Sequence, residues 1–193
     1  MKSIENFLEE IAKATPTPGG GSVAAFTGAL ACSLAEMVCN LTIGKKKYAE
    51  VEEEMKNERQ KMEEMRKKFL LLVEEDAKAF DEVMKAFKEK KNVQEAYKRA
   101  AEVPCETAMQ CVLLINEIKE IAEKGNKNSI TDAGVAALLA YASFHSALLN
   151  VKINLSGIDD KRYKDKMEEK MREMEEKMKK KKEEVMEIVN KWL

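Results

Sequence analysis

A short run of proline and glycine residues is the first feature of this sequence that could bind a ligand. Pro18, Gly19, Gly20 and Gly21 precede Ser22, where a helix is predicted to begin. Glycines let a backbone approach a ligand closely, and the free N–H groups of a first helical turn attract an anion. The run lacks the lysine of a P-loop and follows no predicted strand, so the common nucleotide-binding motifs do not fit. A plain turn between helices is the alternative, although it needs fewer glycines and prolines.

Asp76 stands at a position that helical periodicity assigns to an apolar seam. The seam advances in steps of three or four through Phe69, Leu72, Asp76, Phe80, Val83 and Phe87. A carboxylate between aromatic side chains is partly desolvated, which raises its pKa and suits it to proton transfer. The alternatives are a structural carboxylate bonded to a core Asn or Ser side chain, or one exposed at a break in the seam.

A third polar group contains Asn126, Asn128 and Asp132. The spacing of Ser129 and Asp132 resembles a capping box in which Asp replaces the usual Glu. Capping does not account for the two asparagines, nor for Asn150 further along the same predicted helix. Because buried amides need partners, they could also bind the polar edge of a ring. Ligand binding and capping both stay open for this group.

Three further residue types limit the chemistry. Lys45 begins a run of three lysines, which we expect near the glycine run, where it would attract an anionic ligand tail. His145 is the only histidine, so we expect a core or surface residue and no metal site of the usual kind. The four cysteines form no C-x-x-C pair, and we expect buried thiols.

Helical periodicity covers almost the whole chain, and no alternating strand pattern of useful length occurs. The predicted helices span about 4–11, 22–43, 46–89, 92–123, 129–155 and 160–192. This pattern predicts an all-α fold: one up-and-down bundle of about six helices, two of them long, forming a single domain over residues 1–193.

Details of these helices carry their own expectations. Ser22 is the predicted N-cap of the second helix, and Pro104 predicts a kink or a break in the fourth. The charged first half of segment 46–89 predicts an antiparallel or coiled-coil-like arm. Small residues are concentrated in 22–43 and 129–155, which places these helices at the centre of the bundle or at a subunit contact.

Composition excludes some partners. Lys and Arg number 34 against 35 Asp and Glu, so the net charge of −1 provides no global basic field for nucleic acid. The longest apolar stretch, 23–43, carries polar residues and Glu36, and we expect no membrane span.

The N-terminus shows no signal-peptide pattern, which predicts a cytoplasmic protein. The high Lys and Glu content hints at a thermophilic source.

Four blocks in order, Pro16–Ala25, Glu75–Phe80, Asn126–Ala136 and Asn150–Leu155, resemble the cyclodeaminase/cyclohydrolase family. This family includes the cyclodeaminase domain of formiminotransferase-cyclodeaminase and stand-alone bacterial homologues, and the resemblance covers about residues 3–190. It implies an all-helical fold, a homodimer and a folate substrate. Cyclodeaminases convert 5-formiminotetrahydrofolate to 5,10-methenyltetrahydrofolate and ammonia, and related members hydrolyse the methenyl compound to 10-formyltetrahydrofolate.

The resemblance suggests roles for the motif residues. Asp76 is the expected general acid/base, and Asp132 is a second expected catalytic carboxylate; either Asp76 or Asp132 would stabilise the methenyl cation. Asn126 and Asn128 would bind the pterin edge, and the glycine run with Lys45 would receive the glutamate tail; Asn150 is a further expected substrate-binding residue. No cofactor beyond the tetrahydrofolate substrate is expected.

Several alternatives remain at this point. A cyclohydrolase with the same pocket, a folate-binding bundle without catalysis, and a helical scaffold built on 46–89 and 160–192 are all compatible with the pattern. Whether the site lies within one subunit or across two also stays open.

Overall fold

Six α-helices and two short 3₁₀ turns form the computed structural model, which describes residues 3–193. The helices are α1 (Ile4–Ile11), α2 (Gly20–Thr42), α3 (Glu52–Glu89), α4 (Val93–Lys124), α5 (Ile130–Ser156) and α6 (Lys161–Asn190), with 3₁₀ turns at Lys46–Val51 and Lys127–Ser129. Residues 3–193 contain no strand, and the predicted all-α fold is confirmed. Met1 and Lys2, part of the segment on which the absence of a signal peptide was predicted, lie outside the described residues.

Helix α2 lies at the centre of the bundle, in contact with α3, α4 and α5. It runs antiparallel to α3, because Gly21 faces Asp76 near one end and Gly28 faces Phe69 two turns further on. It also runs antiparallel to α5, where Ser143 Oγ donates a 2.6 Å hydrogen bond to the carbonyl of Ala24. The small residues of α2 are therefore where the bundle needs close helix approach.

The structure corrects two sequence-based expectations about these helices and refines a third. Gly19 is the N-cap of α2, and Ser22 lies buried in its first turn instead of capping it. The charged first half of α3 lies antiparallel to α2, one of the two forms predicted for this arm, and it is packed into the bundle, with Met55 and Met62 fully buried. Helix α4 continues through Pro104 as one helix, so the predicted break does not occur.

The start of α5 does not use the predicted capping box. Ser129 occupies the N-cap position, but its hydroxyl donates to the carbonyl of Asn126 at 2.9 Å and caps no helical N–H group. The side chain of Asn126 instead accepts from the backbone N–H of Asn128 at 3.1 Å. Asn126 thus organises the preceding turn.

All four cysteines are free and buried, as predicted. Burial raises the pKa of the Cys39 and Cys111 thiols to about 12, so both stay protonated at neutral pH. These thiols serve as small core side chains.

The outer surfaces of α2 and α5 are unusually apolar. Both helices are long and apolar enough to span a membrane by length and composition alone, with mean hydropathies of 1.6 for α2 and 1.4 for Lys127–Ser156. About half of each stretch is buried inside the bundle, 56% and 50% respectively, as in core helices. The remainder includes exposed large side chains: Leu30, Met37 and Leu41 on α2, and Val135, Leu138, Leu149 and Ile153 on α5.

The contact between Gly28 and Phe69 provides a test of this packing. A Cβ at position 28 would overlap the Phe69 ring, which is itself fully buried. We expect Gly28→Val to lower the free energy of unfolding by about 1–3 kcal/mol or more, because α2 and α3 must move apart. Urea denaturation measures this difference. Ser33→Val on the exposed face of α2 is the control, and an equally large loss there would contradict the packing argument.

Candidate functional site

Asp76 of α3 lies against the first turn of α2. Ser22 Oγ donates to Asp76 Oδ2 at 2.8 Å and lies 3.3 Å from the carbonyl oxygen of Val73. The backbone N–H of Ser22 also bonds the carboxylate. A side chain at Gly21 would occupy the position of the carboxylate, so only glycine permits this approach.

Burial raises the pKa of the Asp76 carboxyl above its ordinary value of 3.8. Desolvation is the largest cause, and the hydrogen bonds from Ser22 act in the opposite direction. Asp76 remains partly accessible while Ser22 is fully buried. This arrangement gives a carboxyl group that can exchange a proton with a ligand and is oriented by a fixed donor. The predicted desolvation of Asp76 and its predicted bonding to a core serine are thus both present.

Asn150 of α5 lies beside the same helix start. Its amide nitrogen is 3.3 Å from the position that a Cβ on Gly20 would take, so Gly20 leaves room for this side chain. The amide donates to the carbonyl of Ser146 at 2.9 Å, which fixes its orientation. The structure therefore brings Asn150 and the glycine run together, as a shared site requires. We call Pro18–Ser22, Asp76 and Asn150 the glycine-loop half-site.

An apolar cleft of about 450 Å³ adjoins this half-site. Pro18, which follows a cis peptide bond, and Val73, whose carbonyl lies near Ser22 Oγ, belong to both the cleft and its border with Asp76. The cleft is large enough for an aromatic ring system. Its other apolar walls are Ile4, Phe7, Phe26, Leu70 and Ala77.

Asn126 lies at the opposite end of α2. Its backbone N–H donates to Thr42 Oγ1 at 2.8 Å, and its side-chain amide donates to the carbonyl of Leu41 at 2.9 Å. Its side-chain oxygen accepts from the hydroxyl of Tyr48 at 3.4 Å as well as from Asn128. Since these bonds occupy both sides of the amide, Asn126 ties the start of α5 to the end of α2. A direct contact of Asn126 with substrate stays a prediction.

Tyr48 is a residue that sequence reasoning missed. Its hydroxyl bonds Asn126 and accepts the backbone N–H of Lys127 at 3.0 Å. Only its position next to the lysine run pointed to it, because a single tyrosine in a polar turn carries no periodic pattern. Asn128 is exposed and Asp132 half-buried in the same region. We call Lys45, Tyr48 and 126–132 the Asn126 half-site.

The two half-sites are far apart within one chain. Helix α2 has 23 residues and joins them, which corresponds to about 34 Å at 1.5 Å per residue. The expectation that Lys45 lies near the glycine run is therefore wrong within a single copy: Lys45 follows the C-terminal end of α2 and the glycines form its start. Asp132 is likewise separated from Asp76, because its helix starts where α2 ends.

His145 does not belong to either half-site. Its ring lies against those of Tyr141 and Phe144, and its Nδ1 is 3.8 Å from a carboxylate oxygen of Glu175. Nε2 is buried without a hydrogen-bond partner. Over residues 3–193, no three His, Cys, Asp or Glu side chains are grouped so that they could hold a metal ion.

The fold and this geometry define a class: an all-helical protein in which a glycine-rich helix start accommodates a partly buried carboxylate. The family model described as formiminotransferase-cyclodeaminase matches residues 3–190. The chain therefore belongs to the formiminotransferase-cyclodeaminase family.

Individual relatives agree with this membership. The chain is 44% identical over 184 residues to a protein named methenyltetrahydrofolate cyclohydrolase from Methylorubrum extorquens, covering 90% of this chain and 87% of the relative. It is 30% identical over 174 residues to formimidoyltransferase-cyclodeaminase of Gallus gallus, covering 84% of this chain but only 32% of that longer protein. The crystal structure of formiminotetrahydrofolate cyclodeaminase from Thermotoga maritima matches with a TM-score of 0.94 at 39% identity, covering 98% of this chain and 96% of the other.

The raised pKa of Asp76 predicts an unusual stability effect. The folded protein holds this proton more tightly than the unfolded chain, so its stability falls as pH rises from about 3.8 through the raised folded pKa. Asp76→Asn removes the ionisation and keeps an oxygen that accepts from Ser22. We expect this variant to be at least as stable as the wild type at neutral pH, with any advantage vanishing in acid.

Urea denaturation at a series of pH values measures this effect. Ser22→Ala is the companion variant, because loss of the hydroxyl should raise the pKa of Asp76 further, as followed by ¹³C NMR of its carboxyl carbon. A marked loss of stability in Asp76→Asn at neutral pH would show that burial does not dominate at this site.

Proposed function

We propose that this chain is a folate-dependent one-carbon enzyme in which Asp76 transfers protons at the carbon carried between N5 and N10 of tetrahydrofolate. The observation that carries the proposal is the contact of Asp76 with Gly21 and Ser22, which desolvates the carboxyl and raises its pKa. The names of the relatives supply the substrate class, and the structure supplies a group suited to the chemistry.

The first candidate reaction is that of formiminotetrahydrofolate cyclodeaminase. N10 attacks the carbon of the protonated formimino group (–CH=NH2⁺) of 5-formiminotetrahydrofolate and loses its proton, and ammonia then leaves to give the 5,10-methenyltetrahydrofolate cation. In this proposal, Asp76 accepts the N10 proton and returns a proton to the departing nitrogen. A carboxyl whose pKa lies above the ordinary value serves both steps better than an exposed one. The likeness to the cyclodeaminase structure favours this reaction.

The second candidate is methenyltetrahydrofolate cyclohydrolase, favoured by the relative of that name at 44% identity. Water adds to the methenyl carbon, and the bond from this carbon to N5 breaks to give 10-formyltetrahydrofolate. Asp76 would take one proton from the attacking water and supply it to N5. The remaining hydroxyl proton of the tetrahedral intermediate is released to solvent as the formyl carbonyl forms. Both reactions pass through a tetrahedral carbon between the same two nitrogens, so one carboxyl can serve either.

The remaining residues have supporting roles in this proposal. The free N–H groups at the start of α2 suit the anionic glutamate tail, and the lysines at 45–47, at the opposite end of this helix, are an alternative place for it. Asn128 and Asn150 are offered as ligands of polar ring atoms, and Tyr48 with Asn126 positions the turn that carries Asn128. Asp132 is offered as the second carboxylate that stabilises the methenyl cation.

The wider setting of the enzyme follows from the same proposal. It would act in the cytoplasm as a homodimer, and it would need no metal or other cofactor, because proton transfer and charge stabilisation suffice for either reaction. The apolar outer faces of α2 and α5 support the homodimer. Nucleic acid is not proposed as a partner, since the net charge is −1.

Replacement of Asp76 tests the proposed mechanism. We expect Asp76→Asn to fold normally and to lose about 10²- to 10⁴-fold in kcat, because the amide cannot exchange the proton. Formation of methenyltetrahydrofolate from 5-formiminotetrahydrofolate and its disappearance by hydrolysis are followed by absorbance, so one assay compares both substrates.

Glu75→Gln is the matched control. Glu75 neighbours Asp76 on α3, but its carboxylate lies 3.6 Å from Arg99 and away from Ser22. This variant should keep wild-type rates. Wild-type turnover in Asp76→Asn would remove Asp76 from the mechanism, and absence of turnover of both substrates by the wild type would remove the proposed function.

A further inference from the structure

We propose that Lys127 and the C-terminal residues Val189 and Trp192 position segment 128–132 for the substrate. We call Lys127, Val189 and Trp192 the C-terminal clamp. Segment 128–132 carries an amide and a carboxylate that the proposed function assigns to the substrate, so the positioning role rests on that function. The restraint of the segment is tested without folate. Because the clamp acts through this segment, its members are positioning residues and not catalytic ones.

The ammonium of Lys127 closes the C-terminal end of α4. Its Nζ donates to the carbonyls of Ala122 and Glu123 at 2.7 and 2.6 Å. Both belong to the last turn of α4, whose carbonyls have no partner within the helix. A charged donor makes strong hydrogen bonds there and suits the helix dipole. Burial is the main reason why the pKa of Lys127 lies below its ordinary value of 10.5. Lys127 is therefore held in the structure and is not a solvated surface cation.

The indole ring of Trp192 lies against the same ammonium. The distance from Nζ of Lys127 to the ring centroid is 5.6 Å, within the range of a cation–π contact. Trp192 follows the end of α6, and its backbone N–H donates to the carbonyl of Val189 at 3.0 Å. The C-terminal end of the chain is thus connected to the end of α4.

A second contact joins the same C-terminal residues to the start of α5. Both methyl groups of Val189 lie 3.3 Å from the position that a Cβ on Gly134 would take, so Val189 packs directly on this glycine. Val189 is itself buried. Lys127 precedes segment 128–132 and Gly134 follows it. The segment therefore lies between two points that the C-terminal clamp holds.

The two polar side chains of the segment depend on this restraint. Within residues 3–193, neither Asn128 nor Asp132 makes a hydrogen bond or ion pair through its own side chain. Their positions are therefore set by the backbone of the segment. Tyr48 adds a hold on that backbone, because its hydroxyl accepts the N–H of Lys127 at 3.0 Å. Lys127 thus has its backbone held by one aromatic residue and its side chain by another.

Hydrogen exchange tests whether the clamp restrains the segment. Lys127→Met removes the ammonium, and Trp192→Ala removes a ring that is 55% exposed and outside the core. We expect amide exchange over residues 126–134 to become about tenfold faster in both variants, because the segment opens more often. Exchange at the start of α2 should stay at the wild-type rate. Unchanged exchange over 126–134 in both variants would overturn the proposal.

Two further variants control this experiment. Lys98→Met removes a comparable lysine–aromatic contact, 5.2 Å from the ring of Tyr163, together with a 3.0 Å ion pair to Asp160 at the start of α6. It should leave exchange over 126–134 unchanged, and an equal acceleration there would contradict the proposal by showing a general loss of stability. Trp192→Phe keeps an aromatic ring and should recover most of the wild-type protection.

Steady-state kinetics test the positioning role. Trp192→Ala should raise KM for the folate that the wild type turns over by about tenfold, with a smaller effect on kcat, because the segment binds substrate. The pH profile of kcat should stay that of the wild type, since Asp76 lies at the other end of α2. Trp192→Phe should restore most of the wild-type KM. An unchanged KM in Trp192→Ala, whatever its kcat, would overturn the positioning role, because a smaller folded fraction lowers the rate alone.

Fluorescence gives a second measure of the clamp that needs no folate. Trp192 is the only tryptophan of the chain, so all tryptophan emission comes from the clamp. Lys127→Met should increase the quenching of this emission by acrylamide, and Lys98→Met should not. Equal quenching in Lys127→Met and the wild type would contradict the contact. If the wild type turns over neither folate, the proposed function fails, and exchange and quenching still decide whether the clamp restrains the segment.

Discussion

The approach of α3 to the start of α2 is the constraint on which the rest of this structure depends. At Gly21 the missing side chain leaves the space that Asp76 occupies, and at Gly28 it leaves the space of the Phe69 ring. The same two contacts hold the core together and bury a carboxyl group. The desolvation that raises the pKa of Asp76 suits the carboxyl to proton transfer. It also lowers the stability of the folded protein when Asp76 is ionised.

At the C-terminal end of α2, hydrogen bonds hold the turn that connects α4 to α5. The chain must leave α4 and start α5 without a conventional capping box, and Asn126 achieves this by bonding Leu41, Thr42 and Tyr48. Lys127 adds to this region by donating to the carbonyls of Ala122 and Glu123 at the end of α4, at 2.7 and 2.6 Å. Such a network of hydrogen bonds restricts the turn that precedes Asn128 and Asp132.

Much of the fold could be predicted because it follows from periodicity. The boundaries of α2, α4, α5 and α6 differ from those predicted by at most two residues, since long helices have strong and repeated patterns. Helix α3 begins six residues later than predicted, because Lys46–Val51 forms a 3₁₀ turn. The predictions that were wrong concern contacts between helices, which the periodicity of a single helix does not determine. From the sequence, Ser22 could either cap α2 or bond a carboxylate. The position of α3, which places Asp76 next to Ser22, decides for the second. Pro104 lies in the fourth helix without ending it, because the surrounding core holds α4 together.

The sequence by itself determined the all-α class, the membership in one family and the identity of Asp76 as a desolvated carboxyl group. These conclusions depend on residue type and spacing along the chain, which are local properties. Only the tertiary structure decided which motif residues meet. It brought the glycine run, Asp76 and Asn150 together and left Lys45, Asn128 and Asp132 at the other end of a 23-residue helix. Each residue adds about 1.5 Å to the length of a helix, so two motifs at opposite ends of a long helix lie at opposite ends of the bundle.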